Sequence, residues 1–135
     1  MTDPQLLEAA ARAAGWRFLW FGANFHVETA PKSNLWTPWN PLKDDADAFR
    51  LLAEFGGSLR FSSPPTHWVS VEMVRRYVSS ALEQIRGDAA SAARRAIVAA
   101  AAGLNVAERE DALDRLAIGL DYAPAPAGAP DQEPT

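Results

Sequence analysis

The sequence predicts an α+β domain in which an antiparallel sheet of about four strands packs against helices. Three observations predict this class: aromatic-rich runs that alternate in polarity, runs with apolar residues every three or four positions, and glycine or proline at the junctions. At 135 residues, the chain is long enough for one domain with its own core. We expect this domain to span residues 1–122 and a disordered Pro/Ala tail to follow over residues 123–135.

The first part of the chain predicts a helix followed by a hairpin. Asp3 before Pro4 supplies a capping side chain ahead of a proline at the first helical position, so we expect a helix over residues 4–14 that ends at Gly15. Aromatic residues then alternate over 16–21, and a second alternating run covers 25–29. The turn residues between these runs predict that the two strands pair.

The middle of the chain predicts a second helix and two further strands. Apolar residues at helical spacing predict a helix over 44–55, which Gly56 and Gly57 end. Strands are expected over 58–62 and 67–73. Residues 75–86 fit two structures, because their apolar spacing is helical while part of the run alternates like a strand.

The last part of the chain predicts two helices. An alanine-rich run predicts a helix over 89–102 that Gly103 closes. Asn105 with Glu108 matches a capping box, which predicts a further helix over 105–120. Its apolar stripe includes Leu113, Leu116 and Leu120 and suits packing either on the domain or on a second chain, as in a homodimer through this helix.

Composition excludes several classes of protein. The net charge of −4 and the sequence pI of about 5.1 argue against direct nucleic-acid binding, which concentrates Lys and Arg on one face. The chain has no cysteine, which excludes disulfides, cysteine nucleophiles and thiolate metal sites. No apolar run approaches the roughly 20 residues of a membrane span, and Asp3 and Glu8 stand where a secretory signal would be basic. We therefore expect a cytoplasmic protein with no membrane association.

Residues 36–49 read WTPWNPLKDDADAF and form the densest cluster of tryptophan, proline and aspartate in the chain. Asp44 is expected to cap the following helix, with the charges of Asp45 and Asp47 near the positive end of the helix dipole. The alternative is a metal-dependent enzyme that uses these three carboxylates, although the spacing does not match an EF-hand loop. We favour capping.

No set of catalytic residues is recognisable, and the sequence assigns no catalytic, cofactor-binding or metal-binding residue. The two histidines, His26 and His67, lie on predicted strands without a partner motif, where structural histidines are commoner than general bases. Tryptophan is enriched where proteins contact one another. The candidate interaction surface therefore comprises Trp36, Trp39, Asn40, Asp44 and Asp45.

Two stretches resemble a family of small bacteriophage and prophage proteins. Residues 39–52, WNPLKDDADAFRLL, resemble the pattern W-N-P-L-x-D-D-G-D-A-L-R-L, with Ala46 where the pattern has glycine. Residues 92–102, AARRAIVAAAA, are similar to the pattern A-A-x-R-R-A-I-V-R-A-A-A, after which the family helix often continues. Together they resemble the phage α/β/α sandwich domain family over about residues 1–103. The resemblance implies no activity, and it favours a strand over at least part of 77–85.

These observations lead to an expected function without catalysis or cofactor. We expect a phage-derived accessory protein that binds a host or phage protein, because a small chain needs only a shaped surface for binding. A specific version is an inhibitor of a bacterial antiphage defence such as CRISPR. The metal-dependent enzyme is the alternative.

Overall fold

The computed structural model describes residues 1–63 and 67–122, with side chains described up to residue 117. The predicted tail over 123–135 lies outside the described residues. The elements follow in the order α1 (Asp3–Ala13), β1 (Arg17–Phe21), β2 (Asn24–Glu28), β3 (Thr37–Pro38), α2 (Asp45–Glu54), β4 (Ser58–Phe61), β5 (Trp68–Val74), β6 (Val78–Gln84) and α3 (Ala89–Tyr122). The predicted α+β class is confirmed.

The strands form two antiparallel sheets of three strands each, in the orders β1-β2-β3 (sheet A) and β4-β5-β6 (sheet B). The four predicted strands therefore divide between two sheets, and each pair gains a third strand. The ambiguity at residues 75–86 is resolved in favour of a strand, since β6 pairs with β5 from Val78 opposite Val74 to Gln84 opposite Trp68. β3 was not expected and lies within the tryptophan-rich stretch.

Helix α1 begins one residue before the predicted start. Thr2, not Asp3, is the N-cap, and it forms a reciprocal capping box with Gln5. Asp3 instead pairs with Arg95 of α3 at 2.8 Å, which joins the two helices. The helix ends at Ala13, one residue before the predicted end. Gly15 follows the cap, and its φ of 81° lets the amide of Trp16 reach the carbonyl of Ala11.

An aromatic cluster fills the space between α1 and sheet A. Stacked or edge-to-face ring contacts with centroids 4.7 to 5.8 Å apart join Trp16, Phe18, Trp20, Phe25 and Trp39. The Trp20 indole donates a hydrogen bond to the Glu8 carboxylate at 2.7 Å and so ties β1 to α1. Trp16, Trp20 and Trp39 therefore contribute to packing in this half of the molecule.

Helix α3 forms the centre of the core and packs against sheet B, α1 and α2. Val69, Val71 and Met73 on the inner face of β5 are fully buried. The alanines of α3 supply little side-chain bulk, so its backbone approaches these neighbours closely. This close packing stabilises the helix more than propensity alone would.

The predicted end of this helix at Gly103 is wrong. α3 is continuous for 34 residues, and the predicted C-terminal helix over 105–120 is present as its second half. A Cβ at Gly103 would overlap the Ser79 side chain, so the glycine allows close approach to β6. Asn105, expected as a cap, is instead buried within the helix.

Candidate functional site

Trp39, the centre of the predicted interaction surface, is a core residue. Only 5% of it is exposed, and its ring meets Trp16 edge-to-face with centroids 5.5 Å apart. The short strand β3 directly before it pairs with His26 and Val27 of β2. The backbone pairing and the aromatic contacts together direct Trp39 into the molecule, so it offers little surface to a partner.

Trp36 belongs to a network around a buried carboxylate. The Arg17 guanidinium lies 5.2 Å from the Trp36 ring centre and pairs with Glu28 at 3.1 Å. Glu28 is buried and also accepts a hydrogen bond from the Asn34 amide at 2.6 Å. Asn34, held at a φ of 59°, in turn accepts from the Trp36 indole at 3.4 Å. Trp36 therefore helps to hold the loop before β3 and remains half-buried.

The start of α2 confirms the predicted capping role of Asp44. Its carboxylate accepts a hydrogen bond from the Asp47 amide at 3.0 Å. The Asp47 carboxylate accepts from the Asn40 amide at 2.9 Å, and the Asn40 side chain accepts from the Leu42 amide at 3.2 Å. These bonds lock the chain that enters the helix.

Asp45 points away from the other two aspartates and pairs with Arg94 of α3. Arg94 also donates to the Leu42 carbonyl at 3.0 Å, so it ties both α2 and the preceding loop to α3. The three carboxylates thus face three different sets of partners. Within residues 1–63 and 67–122, no group of three or more His, Cys, Asp or Glu side chains is placed to hold a metal ion.

The two histidines lie apart. His26 is half-buried on β2, where its ring meets Phe21 edge-to-face at 4.7 Å. His67 is exposed just before β5. Glu28, two residues from His26 on β2, pairs with Arg17.

A shallow depression of about 290 Å³ brings two residues of the candidate interaction surface, Trp39 and Asn40, together with His26. Its other lining residues are Ala23, Asn24, Phe25 and Pro38. None of these side chains is a carboxylate or a nucleophile that could work with the imidazole. The depression therefore lacks the paired groups that general acid–base catalysis requires.

Sequence reasoning missed the outer face of sheet B. Because Val69, Val71 and Met73 face the core, the alternate residues of β5 and their partners on β6 face away from it. We call the exposed apolar residues of this face the outer-face patch, and they are Trp68, Val74, Val78 and Leu82. The alternation in β6 would have revealed the patch if that segment had been assigned as a strand from its pattern alone.

The second half of α3 is exposed on most sides. Leu113 and Leu116 are 63% and 61% exposed, so in the described chain neither leucine packs on the domain. Asp111, in contrast, accepts a hydrogen bond from the Tyr77 hydroxyl at 2.6 Å and pairs with Arg115 at 2.8 Å. The hydrogen bond to Asp111 raises the pKa of Tyr77 above its ordinary value of 10.0, because deprotonation would remove the donor.

Comparison of the sequence with models of protein families, with curated proteins and with solved structures found no match. Among the described residues, no helix is long and apolar enough to cross a membrane.

Proposed function

We propose that this protein is a non-enzymatic, phage-derived accessory protein that acts by binding a host or phage protein. The two sequence motifs that resemble the phage family support its origin. A specific form of the proposal is an inhibitor of a bacterial antiphage defence such as a CRISPR effector. The net charge of −4 favours a protein partner over a nucleic acid.

The outer-face patch is the observation that carries the proposal. Val74, Val78 and Leu82 are each more than half exposed, and Trp68 lies on the same face. Val74 lies opposite Val78 at one end of the face, and Leu82 and Trp68 lie toward the other end. A hydrogen-bonded sheet holds such side chains in place before binding, so a partner need not order them. Tryptophan is also a common interface hot spot.

Polar residues divide the patch into two apolar ends. Glu72 lies between Val74 and Trp68 on the outer face of β5, opposite Ser80 of β6. Arg60 lies opposite Ser70 across the pairing of β4 with β5. An apolar face that is interrupted by polar residues, with one charge of each sign, fits a protein surface of mixed composition.

Capture of the partner by the tagged chain tests this assignment. We expect Leu82→Ser to reduce the amount of a captured host or phage protein at least about tenfold, because one hot-spot side chain contributes about 1.4 kcal/mol or more. Leu35→Ser is the matched control, since Leu35 is 72% exposed in a loop away from sheet B. Equal capture by wild type and Leu82→Ser would refute the role of this face, and recovery of the chain alone from every lysate would refute the proposed function.

The inhibitor version has its own test. Expression of the chain in a host that carries the defence system should raise the plating efficiency of a phage that the defence restricts. Leu82→Ser at the same expression level should lose this effect. An unchanged plating efficiency with wild-type protein would reject the inhibitor version while leaving partner binding open to the capture experiment.

A further inference from the structure

Sheet B ends at a long strand whose outer edge is unpaired. β6 is the last strand in the order β4-β5-β6 and covers seven residues. The other edge strands are shorter: β3 has two residues including Pro38, β4 has four and β1 has five. Short strands and proline discourage pairing with another chain. In the part of the chain that the structure describes, β6 is therefore the edge best suited to accept a further strand, since it contains neither proline nor lysine.

The hydrogen-bond pattern of β6 identifies the backbone groups that face this edge. The Ile85 amide donates to the His67 carbonyl, and the Arg75 amide donates to the Tyr77 carbonyl. Because hydrogen-bonded pairs alternate along an antiparallel ladder, the odd-numbered residues of β6 bond to β5. The even-numbered residues direct their N–H and C=O groups to the free edge, and they are Val78, Ser80, Leu82 and Gln84. Within residues 1–63 and 67–122, no other group bonds to these backbone atoms.

Free backbone groups in this arrangement are complementary to an extended polypeptide. An antiparallel strand beside β6 would offer a C=O to each free N–H and an N–H to each free C=O. Val78 and Leu82 are exposed on the outer face at this edge, so apolar residues of the added strand would pair with them. The added strand would thus extend the outer-face patch.

A carboxylate on the inner face of β6 adds a charge requirement. Glu83 alternates with Leu82 and lines an open groove of about 350 Å³ between β6, α1 and α3. Arg95 lines the same groove but binds Asp3 at 2.8 Å, and among the described residues Glu83 has no hydrogen bond or ion pair. An added strand would cover the Glu83 carboxylate, which is costly unless a cation pairs with it. Glu83 therefore selects a strand with Lys or Arg opposite it.

A second copy of β6 does not meet this requirement. Antiparallel self-pairing centred on residue 80, 81 or 82 would place only uncharged residues opposite Glu83, and they are Tyr77, Ser79 and Ala81. A register centred on Glu83 itself would bring two carboxylates together. The strand that fits the edge therefore belongs to a different protein.

We propose that the edge of β6 binds an extended segment of the partner protein, which joins sheet B as a fourth, antiparallel strand. The segment has a basic residue opposite Glu83 and apolar residues opposite Leu82 and Val78. In its own direction it reads basic-apolar-x-x-x-apolar. This inference rests on the proposed function, because it names the part of the partner that contacts sheet B.

NMR titration of the full-length chain with a synthetic peptide tests the edge without a captured partner. The probe is acetyl-TKVTTTVT-amide, in which the lysine stands opposite Glu83 and the two valines stand opposite Leu82 and Val78. At millimolar peptide, we expect the amide signals of β6 to shift, and those of its even-numbered residues to shift most. Unchanged amide signals in β6 would overturn the proposal.

Two N-methylated peptides provide the matched control. Methylation of the fifth residue removes the N–H that points at Ser80, whereas methylation of the fourth residue removes one that points away from β6. We expect the first peptide to bind at least about tenfold more weakly than the second. Equal affinities would show that the peptide does not join the sheet and would overturn the proposal.

The charge requirement has a separate control. Glutamate in place of the peptide lysine should weaken binding to the wild-type chain at least about tenfold, because it places two carboxylates side by side. Glu83→Gln should remove most of this difference. A lysine preference that persists in Glu83→Gln would contradict the assigned register.

The capture experiment separates failure of this inference from failure of the proposed function. Ser80→Pro removes an edge N–H that does not bond to β5, and Ser80→Thr keeps it. Loss of capture with Ser80→Pro alone supports the edge, whereas capture at the wild-type level by Ser80→Pro, with loss by Leu82→Ser, would overturn the edge and leave the proposed function standing. If the chain is recovered alone, the proposed function fails, and the peptide titration still decides whether the edge binds a strand. The titration needs no variant at Ser80, so it also decides if Ser80→Pro does not fold.

Discussion

Aspartate and tryptophan in the 36–49 stretch serve mainly structural roles at the residue scale. The capping role of Asp44 was predictable because the cap and the amide it binds are three residues apart. The burial of Trp39 was not predictable in the same way, because its partners Trp16 and Phe25 are distant in sequence. Local chemistry can be read from a sequence more readily than contacts that the fold creates.

Trp39→Ala should destabilise the protein by about 3–5 kcal/mol, because it removes a buried ring from the aromatic cluster. Trp36→Ala should cost less than about 1.5 kcal/mol, since Trp36 is half-buried and held mainly by Arg17. Urea denaturation at constant pH measures both values. Equal losses for the two variants would contradict the different environments of the two rings.

Millimolar Mg²⁺, Mn²⁺ or Ca²⁺ should leave the melting temperature unchanged, because Asp44, Asp45 and Asp47 bind different protein groups. An ion that bound the folded state would raise the melting temperature with concentration. An ion-dependent rise in melting temperature that is absent in Asp45→Asn would support the alternative of a metal-dependent enzyme.

Asp44→Ala provides a separate test of the cap. It should lower the free energy of unfolding by about 1 kcal/mol whether or not a divalent ion is present. The comparison uses urea denaturation with Asp44→Asn as the control, since asparagine also caps helices well. A loss as large for asparagine as for alanine would show that the charge of Asp44 matters more than its hydrogen bond.

At the scale of the elements, Gly103 shows why a helix boundary could not be placed from sequence. Glycine commonly ends helices, so the run over 89–102 was expected to close there. The residue instead lies where α3 crosses Ser79 of β6, a contact that only the folded sheet creates. The segment of β6 was similarly ambiguous, because its apolar residues fit both a helical spacing and the alternation of a strand. Only its pairing with β5 distinguishes the two.

Gly103→Ala should destabilise the protein by about 1–3 kcal/mol despite the higher helix propensity of alanine, because the new Cβ overlaps the Ser79 hydroxyl. In a Ser79→Ala background, the same change should be neutral or stabilising, since the nearest remaining atom, the Ser79 Cβ, lies at an ordinary contact distance of 3.5 Å. A double-mutant cycle from urea denaturation measures this coupling. Additive effects would contradict the proposed contact.

The Tyr77–Asp111 hydrogen bond should make the second half of α3 sensitive to alkaline pH. A tyrosine with a raised pKa in the folded state contributes stability that is complete below pH 10.0 and lost as the pH rises through the folded value. Hydrogen exchange of amides in residues 107–117 should therefore accelerate above this range beyond the ordinary increase with pH. Tyr77→Phe should lack the additional step, and an identical pH profile for both proteins would argue against the contact.

For the whole molecule, the sequence predicted the α+β class and most elements but not their division into two sheets. Each sheet is completed by a strand that the sequence pattern did not predict with one assignment. These strands are β3 in sheet A, which was not expected, and β6 in sheet B, which also fitted a helix. The single helix α3, about 50 Å long, contacts sheet B and the other two helices. The outer-face patch arises from this arrangement, so this surface was not evident before the elements were assembled.

The capture experiment with two variants side by side tests the central claim that sheet B, rather than the tryptophan-rich stretch, contacts the partner. Both changes are at side chains that reach the surface, and thermal melting identifies any loss of folding. We predict that Leu82→Ser captures at least about tenfold less of the partner than the wild type does. Trp36→Ala should capture the same amount as the wild type. Retention by Leu82→Ser and loss by Trp36→Ala would contradict the account.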